Sequence, residues 1–190
     1  MKLVLFVLLM GLVTPLAAEP AAFEARFQQE RTTPGLDRAF RSEGRVHWVA
    51  GEELRWETES PFEHVYRLLP DRIIEIHPEG EAEEIRAEDA PWVVSLNELL
   101  MALMSGDQEQ LAALFDVQPL AADDEDGMRF RLKPRDEALA EQIDAIEVVQ
   151  GRWPEHIHIK EADGGHLDIR LSDHQGDRPD DEMLEVEDDS

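Results

Sequence analysis

Arg45-Val46-His47-Trp48-Val49-Ala50-Gly51-Glu52-Glu53-Leu54-Arg55-Trp56-Glu57 is the stretch on which the fold class turns. Val46 and Trp48 alternate with Arg45 and His47, and Leu54 and Trp56 alternate with Arg55 and Glu57. Each half therefore puts its apolar side chains on one face of an extended strand. Ala50-Gly51-Glu52 supplies the turn, and the whole reads as an antiparallel hairpin with one apolar face. The same period continues downstream through Phe62 to Leu69, Arg72 to His77 and Ala82 to Arg86, separated by Pro70-Asp71 and Pro78-Glu79-Gly80. A meander is the simplest connection for such strands.

On either side of this block the period changes. Upstream, Ala21 to Glu30 carries Phe23 and Phe27 four apart, the spacing of one helical face, and stops before the turn signal Thr32-Thr33-Pro34-Gly35. Downstream, Ser95-Leu-Asn-Glu98 matches a capping box and predicts a helix start. Leu96, Leu99, Leu100 and Leu103 follow at helical spacing, Met101, Ala102 and Met104 widen the stripe, and Asn97 and Glu98 are its distinctly polar positions. Ser105-Gly106 ends it. A second box, Asp107-Gln-Glu-Gln110, predicts another helix carrying Leu111, Leu114 and Phe115 and ending near Val117-Gln118-Pro119. Beyond the acidic turn Asp123 to Gly127 the strand period returns at Met128, Phe130 and Leu132, then at Ile143 to Val149, His156 to Lys160 and His166 to Leu171, with Glu137 to Gln142 as a short helix or irregular crossing. Strands, a helical pair, then strands again predict an α+β fold: one large antiparallel sheet covered on one face by inserted helices.

The ends of the chain read differently from its body. Lys2, the apolar run Leu3 to Val13 and Leu16-Ala17-Ala18 form a cleavable signal peptide over residues 1–18, because the run is too short to span a bilayer. The expected compartment is the periplasm. Residues 19–172 form one domain, and from Asp173 to Ser190 the acidic composition predicts a disordered tail. With no cysteine there is neither a disulfide nor a lipid-bearing residue at the cleavage point, so the mature chain must rely on a hydrophobic core and carries no stable membrane anchor. Forty-four acidic residues against 18 basic, a net charge of -26, exclude nucleic acid and anionic membrane surfaces as natural partners.

No phosphate-binding glycine loop, nucleophile elbow or metalloprotease helix occurs, so no catalytic residue and no cofactor is expected. His156 and His158 flank Ile157 on one strand and share a face, a spacing open to two metal ligands. Without a further positioned ligand the pair reads as a polar face opposite Ile157 and Ile159, and no metal is expected. The apolar residues are more informative. Trp48, Leu54, Trp56, Phe62, Trp92, Leu96, Leu100, Met101, Leu103, Met104, Leu111 and Phe115 either fill a core or line a pocket beneath a helical lid, with flexible Met101 and Met104 adapting to acyl chains. Periodicity alone leaves both alternatives open.

Phe23-Glu-Ala-Arg-Phe27-Gln-Gln, Gly44-Arg-Val-His-Trp48 leading to Leu54-Arg-Trp56-Glu-Thr-Glu-Ser-Pro61, and Phe130-Arg-Leu132-Lys-Pro134 followed by the strands around Asp163-Gly164 resemble, in this order, the LolA family of outer-membrane lipoprotein carriers. The resemblance covers most of residues 21–172. It implies an unclosed antiparallel β-barrel, a curved sheet with a helical lid over a hydrophobic cavity. It also implies a monomeric, non-enzymatic periplasmic carrier for the acyl chains of a lipoprotein or lipid, served by an inner-membrane donor and an outer-membrane acceptor protein. The alternative is an envelope sensor or protein-interaction module on the same fold. Where the family has an Arg-Pro pair whose Arg holds the lid shut, this chain has Ala50-Gly51.

Overall fold

A computed structural model describes residues 22–36, 38–90, 92–121 and 127–177. The expected signal peptide over residues 1–18, the acidic turn from Asp123 to Asp126 and the chain beyond Asp177 lie outside the described residues. The chain runs as six strands, β1 (Ala22–Thr32), β2 (Phe40–Val49), β3 (Glu53–Ser60), β4 (His64–Leu69), β5 (Arg72–Ile76) and β6 (Ala82–Arg86). Two helices follow, α1 (Trp92–Ser105) and α2 (Gln108–Leu114). Then come β7 (Phe115–Pro119), β8 (Met128–Pro134), the short helix α3 (Glu137–Ala140), β9 (Ile143–Gln150), β10 (Pro154–Glu161) and β11 (His166–Asp177).

All eleven strands belong to one antiparallel sheet in the order β6-β5-β4-β3-β2-β1-β11-β10-β9-β8-β7. Two meanders are joined where the first and last strands pair, and the outer edges, β6 and β7, remain unpaired to each other. The sheet is thus curved and unclosed. Because α1 and α2 connect the two edges, they lie over the concave face, and the buried core fills the space between. Among the described residues no helix is long and apolar enough to cross a membrane.

Four expectations are corrected. The predicted N-terminal helix is strand β1, whose Phe23, Ala25 and Phe27 are buried and whose Glu24, Arg26 and Gln28 are exposed. A separation of four satisfies a period of two as well as 3.6, and pairing with β2 and β11 on both sides decides for the strand. Helix α1 begins at Trp92 rather than at Ser95, since the Val93 N–H already bonds the Ala90 carbonyl. Helix α2 is capped as expected, Asp107 Oδ1 accepting from the Gln110 N–H at 2.9 Å. It ends at Leu114, however, because Phe115 turns extended and its strand pairs with β8. Finally, Asp173 to Asp177 are not tail but the end of β11, opposite Ala22, Phe23 and Glu24 of β1. Backbone pairing, rather than apolar burial, orders these polar residues.

One glycine shows how tightly the central strands approach. At Gly44 a Cβ would run into the Glu57 carbonyl of β3, and the Phe27 ring lies over the same spot. The register shift between Glu43 and Gly44 falls there, as expected where backbones crowd and the strand bends.

Candidate functional site

Alternation puts Phe23, Phe27, Val46, Trp48, Leu54, Ile157, Ile169 and Leu171 on the concave face, where all are buried. Aromatic rings occupy the middle of it. Phe23 stacks on Trp153 at 4.8 Å between centroids and lies 6.0 Å from Trp48, and Phe27 meets Trp56 at 4.2 Å. Helix α1 descends on this platform with Val93, Leu99, Ala102, Leu103 and Met104 buried. Under α1 the face is therefore filled by side chains.

Polar contacts to Trp48 and to the Leu69 carbonyl tie α1 to the sheet. The Trp48 indole N–H donates to Met101 Sδ at 3.1 Å. One turn earlier on the helix, Asn97 Nδ2 donates to the Leu69 carbonyl at the end of β4. Asn97 is only 2% exposed. The sequence pattern places it on the polar side of the stripe; the structure buries it against the β4–β5 turn. Its Oδ1 has no partner among the described residues.

Open volume lies to the side. Between α2 and the β7–β8 hairpin is a cavity of about 470 Å³, walled by Leu111, Ala112, Val117, Pro119, Leu120, Met128 and Phe130, with Gln108, Gly127 and Arg129 completing it. Its size falls in the range of small-molecule sites, and its walls are mainly apolar. The lining of a larger depression of about 820 Å³ includes Gln28, Glu30, Arg41, Glu43, His158, Asp168 and Arg170, which by alternation belong to the convex side. Its walls carry charged side chains of both signs, so the smaller, mainly apolar cavity is the better candidate for an acyl chain.

Of the residues expected to line a pocket, Trp48, Leu54, Trp56, Leu96, Leu100, Met101, Leu103, Met104, Leu111 and Phe115 come together in one apolar cluster. Leu111 alone among them also borders the open cavity. Phe62 is elsewhere: it sits in the turn between β3 and β4, is 69% exposed and stacks on Phe40. Trp92 opens α1, and its side chain lies outside the described residues. Sequence reasoning missed Phe23, Phe27 and Trp153 in the platform, and Val117, Leu120, Met128 and Phe130 in the cavity. The alternation Phe23-x-Ala25-x-Phe27 carried the first signal, and Val117-x-Pro119 opposite Met128-x-Phe130 the second.

On the convex face His156 and His158 do share one side, as their spacing requires. Both face Asp168 of β11, with His156 Nε2 at 2.8 Å and His158 Nδ1 at 3.3 Å from Oδ2. Partial burial pushes the Asp168 carboxyl up, but the hydrogen bond and charge of His156, with His158 and Arg170 behind it, hold it below the usual carboxylate range. Ile157 is buried on the opposite side, so this is a polar face over the core.

Residues 19–187 match the family model described as "Outer membrane lipoprotein carrier protein LolA". No curated protein matches the chain. Similar solved structures include a LolA superfamily protein from Nitrosomonas europaea, 12% identical, covering 84% of this chain and 88% of that one with a TM-score of 0.43. Another is a putative outer membrane lipoprotein-sorting protein domain from Vibrio parahaemolyticus, 9% identical over 83% and 86%, TM-score 0.42. A third is the MucA/MucB complex of Pseudomonas aeruginosa, 15% identical over 86% of this chain and 55% of that one, TM-score 0.44.

Proposed function

The chain belongs to the LolA family of outer membrane lipoprotein carrier proteins, and from that premise we propose that it is a soluble periplasmic carrier that binds acyl chains of a lipoprotein or lipid and moves them toward the outer membrane. In this reading α1 and α2 are the lid, and an acyl chain enters by the cavity between α2 and the β7–β8 hairpin. The observation that supports it is that cavity: about 470 Å³ with mainly apolar walls, beside helix α2. Each methylene taken from water contributes roughly 0.8 kcal/mol, so a handful suffices for useful affinity. Where the family's Arg latch is replaced by Ala50-Gly51, Asn97 and Met101 hold the lid instead. A tether of that kind contributes on the order of 1 kcal/mol net, little enough for cargo to displace. The reading is of a binding protein, not an enzyme, and it invokes no cofactor.

Ala112 lines the cavity on the exposed side of α2, so Ala112→Trp fills the opening without disturbing the core. Displacing only two methylenes of a bound chain should weaken it by roughly tenfold. The test is the affinity of a fluorescent fatty acid for the unmutated protein and for this variant, with thermal melting on both. Weaker binding at an unchanged melting point supports the carrier. An unmutated protein that binds no fatty acid overturns it and leaves the sensor or interaction module.

A further inference from the structure

At the far edge of the sheet three potential metal ligands converge on one face. Glu75 and Glu83 are direct partners across the β5–β6 pair, and His77 stands two residues beyond Glu75 on the same side. One ligand atom from each of Glu75, His77 and Glu83 lies within 4.8 Å of the others. Two carboxylates directly opposite each other on a strand pair repel. Among the described residues, the Glu83 carboxylate and the His77 ring have no hydrogen-bond or ion-pair partner. Glu75 has one: the Tyr66 hydroxyl on β4 donates to its Oε1 at 2.8 Å. That leaves the second oxygen of Glu75 available, and orients the carboxylate as outer partners of metal ligands do.

We propose that Glu75, His77 and Glu83 bind a divalent transition-metal ion of the zinc class. The ligand set chooses the ion. An imidazole nitrogen beside two carboxylates suits zinc and its first-row neighbours, whereas calcium and magnesium favour all-oxygen shells. The net charge of -26 raises the local concentration of any cation, and the ion removes the repulsion between the two glutamates. It also has a mechanical effect. Strand β6 is exposed along its whole length and paired on one side only, so an ion shared by Glu75 and Glu83 pins this edge to β5.

The experiment is a titration of the purified protein with Zn2+ against a chromophoric chelator. It is repeated on Glu83→Gln, His77→Gln and the convex-face control His158→Gln, with hydrogen exchange of β6 measured with and without the ion. One equivalent should bind, Glu83→Gln and His77→Gln should each lose at least about tenfold in affinity, and His158→Gln should lose nothing. Zinc should slow exchange at β6 in the unmutated protein, and not in Glu83→Gln. Glu83 is exposed, so its variant should fold as the parent does; should it not, His77→Gln decides. The proposal fails if the unmutated protein binds no zinc, if both variants keep full affinity, or if binding follows His158 instead.

Discussion

Leucine, methionine and phenylalanine line two regions of this molecule with opposite outcomes. Beneath α1, Trp48, Leu99, Leu103 and Met104 are buried against a sheet that continues on both sides. Between α2 and the β7–β8 hairpin, Leu111, Val117, Met128 and Phe130 surround an opening of about 470 Å³. The difference is one of position in the sheet. At its centre every strand has two neighbours, and the fold brings Phe23 of β1, Trp48 of β2 and Trp153 of the β9–β10 turn together. Strand β7 is an edge, and among the described residues no further strand lies beyond it. Whether apolar side chains make a core or a pocket thus depends on what stands behind them.

The sharpest way to break this comparison is Leu103→Glu. Leu103 is 1% exposed, and a carboxylate there has neither water nor a partner. The expected loss exceeds about 4 kcal/mol, and the cooperative melting transition should vanish or fall steeply. A variant that melts like the parent would mean that water reaches the space under α1, and the filled-centre description would be wrong. Ala112→Trp at the rim is the matching control, expected to change fatty-acid binding and not melting.

A smaller effect probes the contact between the two layers. Met101→Leu keeps the volume but removes the acceptor of the Trp48 N–H. The cost should be about 1 kcal/mol, lowering the melting point by roughly 2–4 °C, with faster hydrogen exchange confined to α1. No change in either measurement would show that the sulfur contact does not hold the helix.

The smallest effect sharpens the outline of the dry region. Tyr66 is the sole tyrosine of the chain and packs against the core cluster from β4. Burial, then its hydrogen bond to Glu75 and the charge of that carboxylate, push its hydroxyl up from 10.0 to about 12. A group whose pKa is raised by folding adds stability that is complete below the unfolded value and is lost as pH rises through the folded one. The phenolate absorbance should therefore appear near pH 12 in the folded protein and near 10 once it is unfolded. A folded midpoint near 10 would place Tyr66 in water, and Glu75→Gln should lower the midpoint part of the way.

Much of this was legible in the residues themselves. The alternation in Arg45 to Glu57, the cap at Asp107 and the order of strands and helices depend on interactions between near neighbours, and these determined an antiparallel sheet with an inserted helical pair. The residues that misled did so where two periods coincide, as at Phe23 and Phe27, or where a distant strand supplied the backbone partners, as at Phe115 and at Asp173 to Asp177. Asn97 reads as polar surface because its partner, the Leu69 carbonyl, is remote in the chain. Glu75, His77 and Glu83 are unremarkable in a chain so acidic until the β5–β6 register sets them on one face. By itself the sequence determined which side chains are apolar and with what period. Which of them face a filled centre, which an open rim, and which carboxylates meet was decided by strand order and curvature, because burial is a property of what lies opposite a side chain and not of the chain beside it.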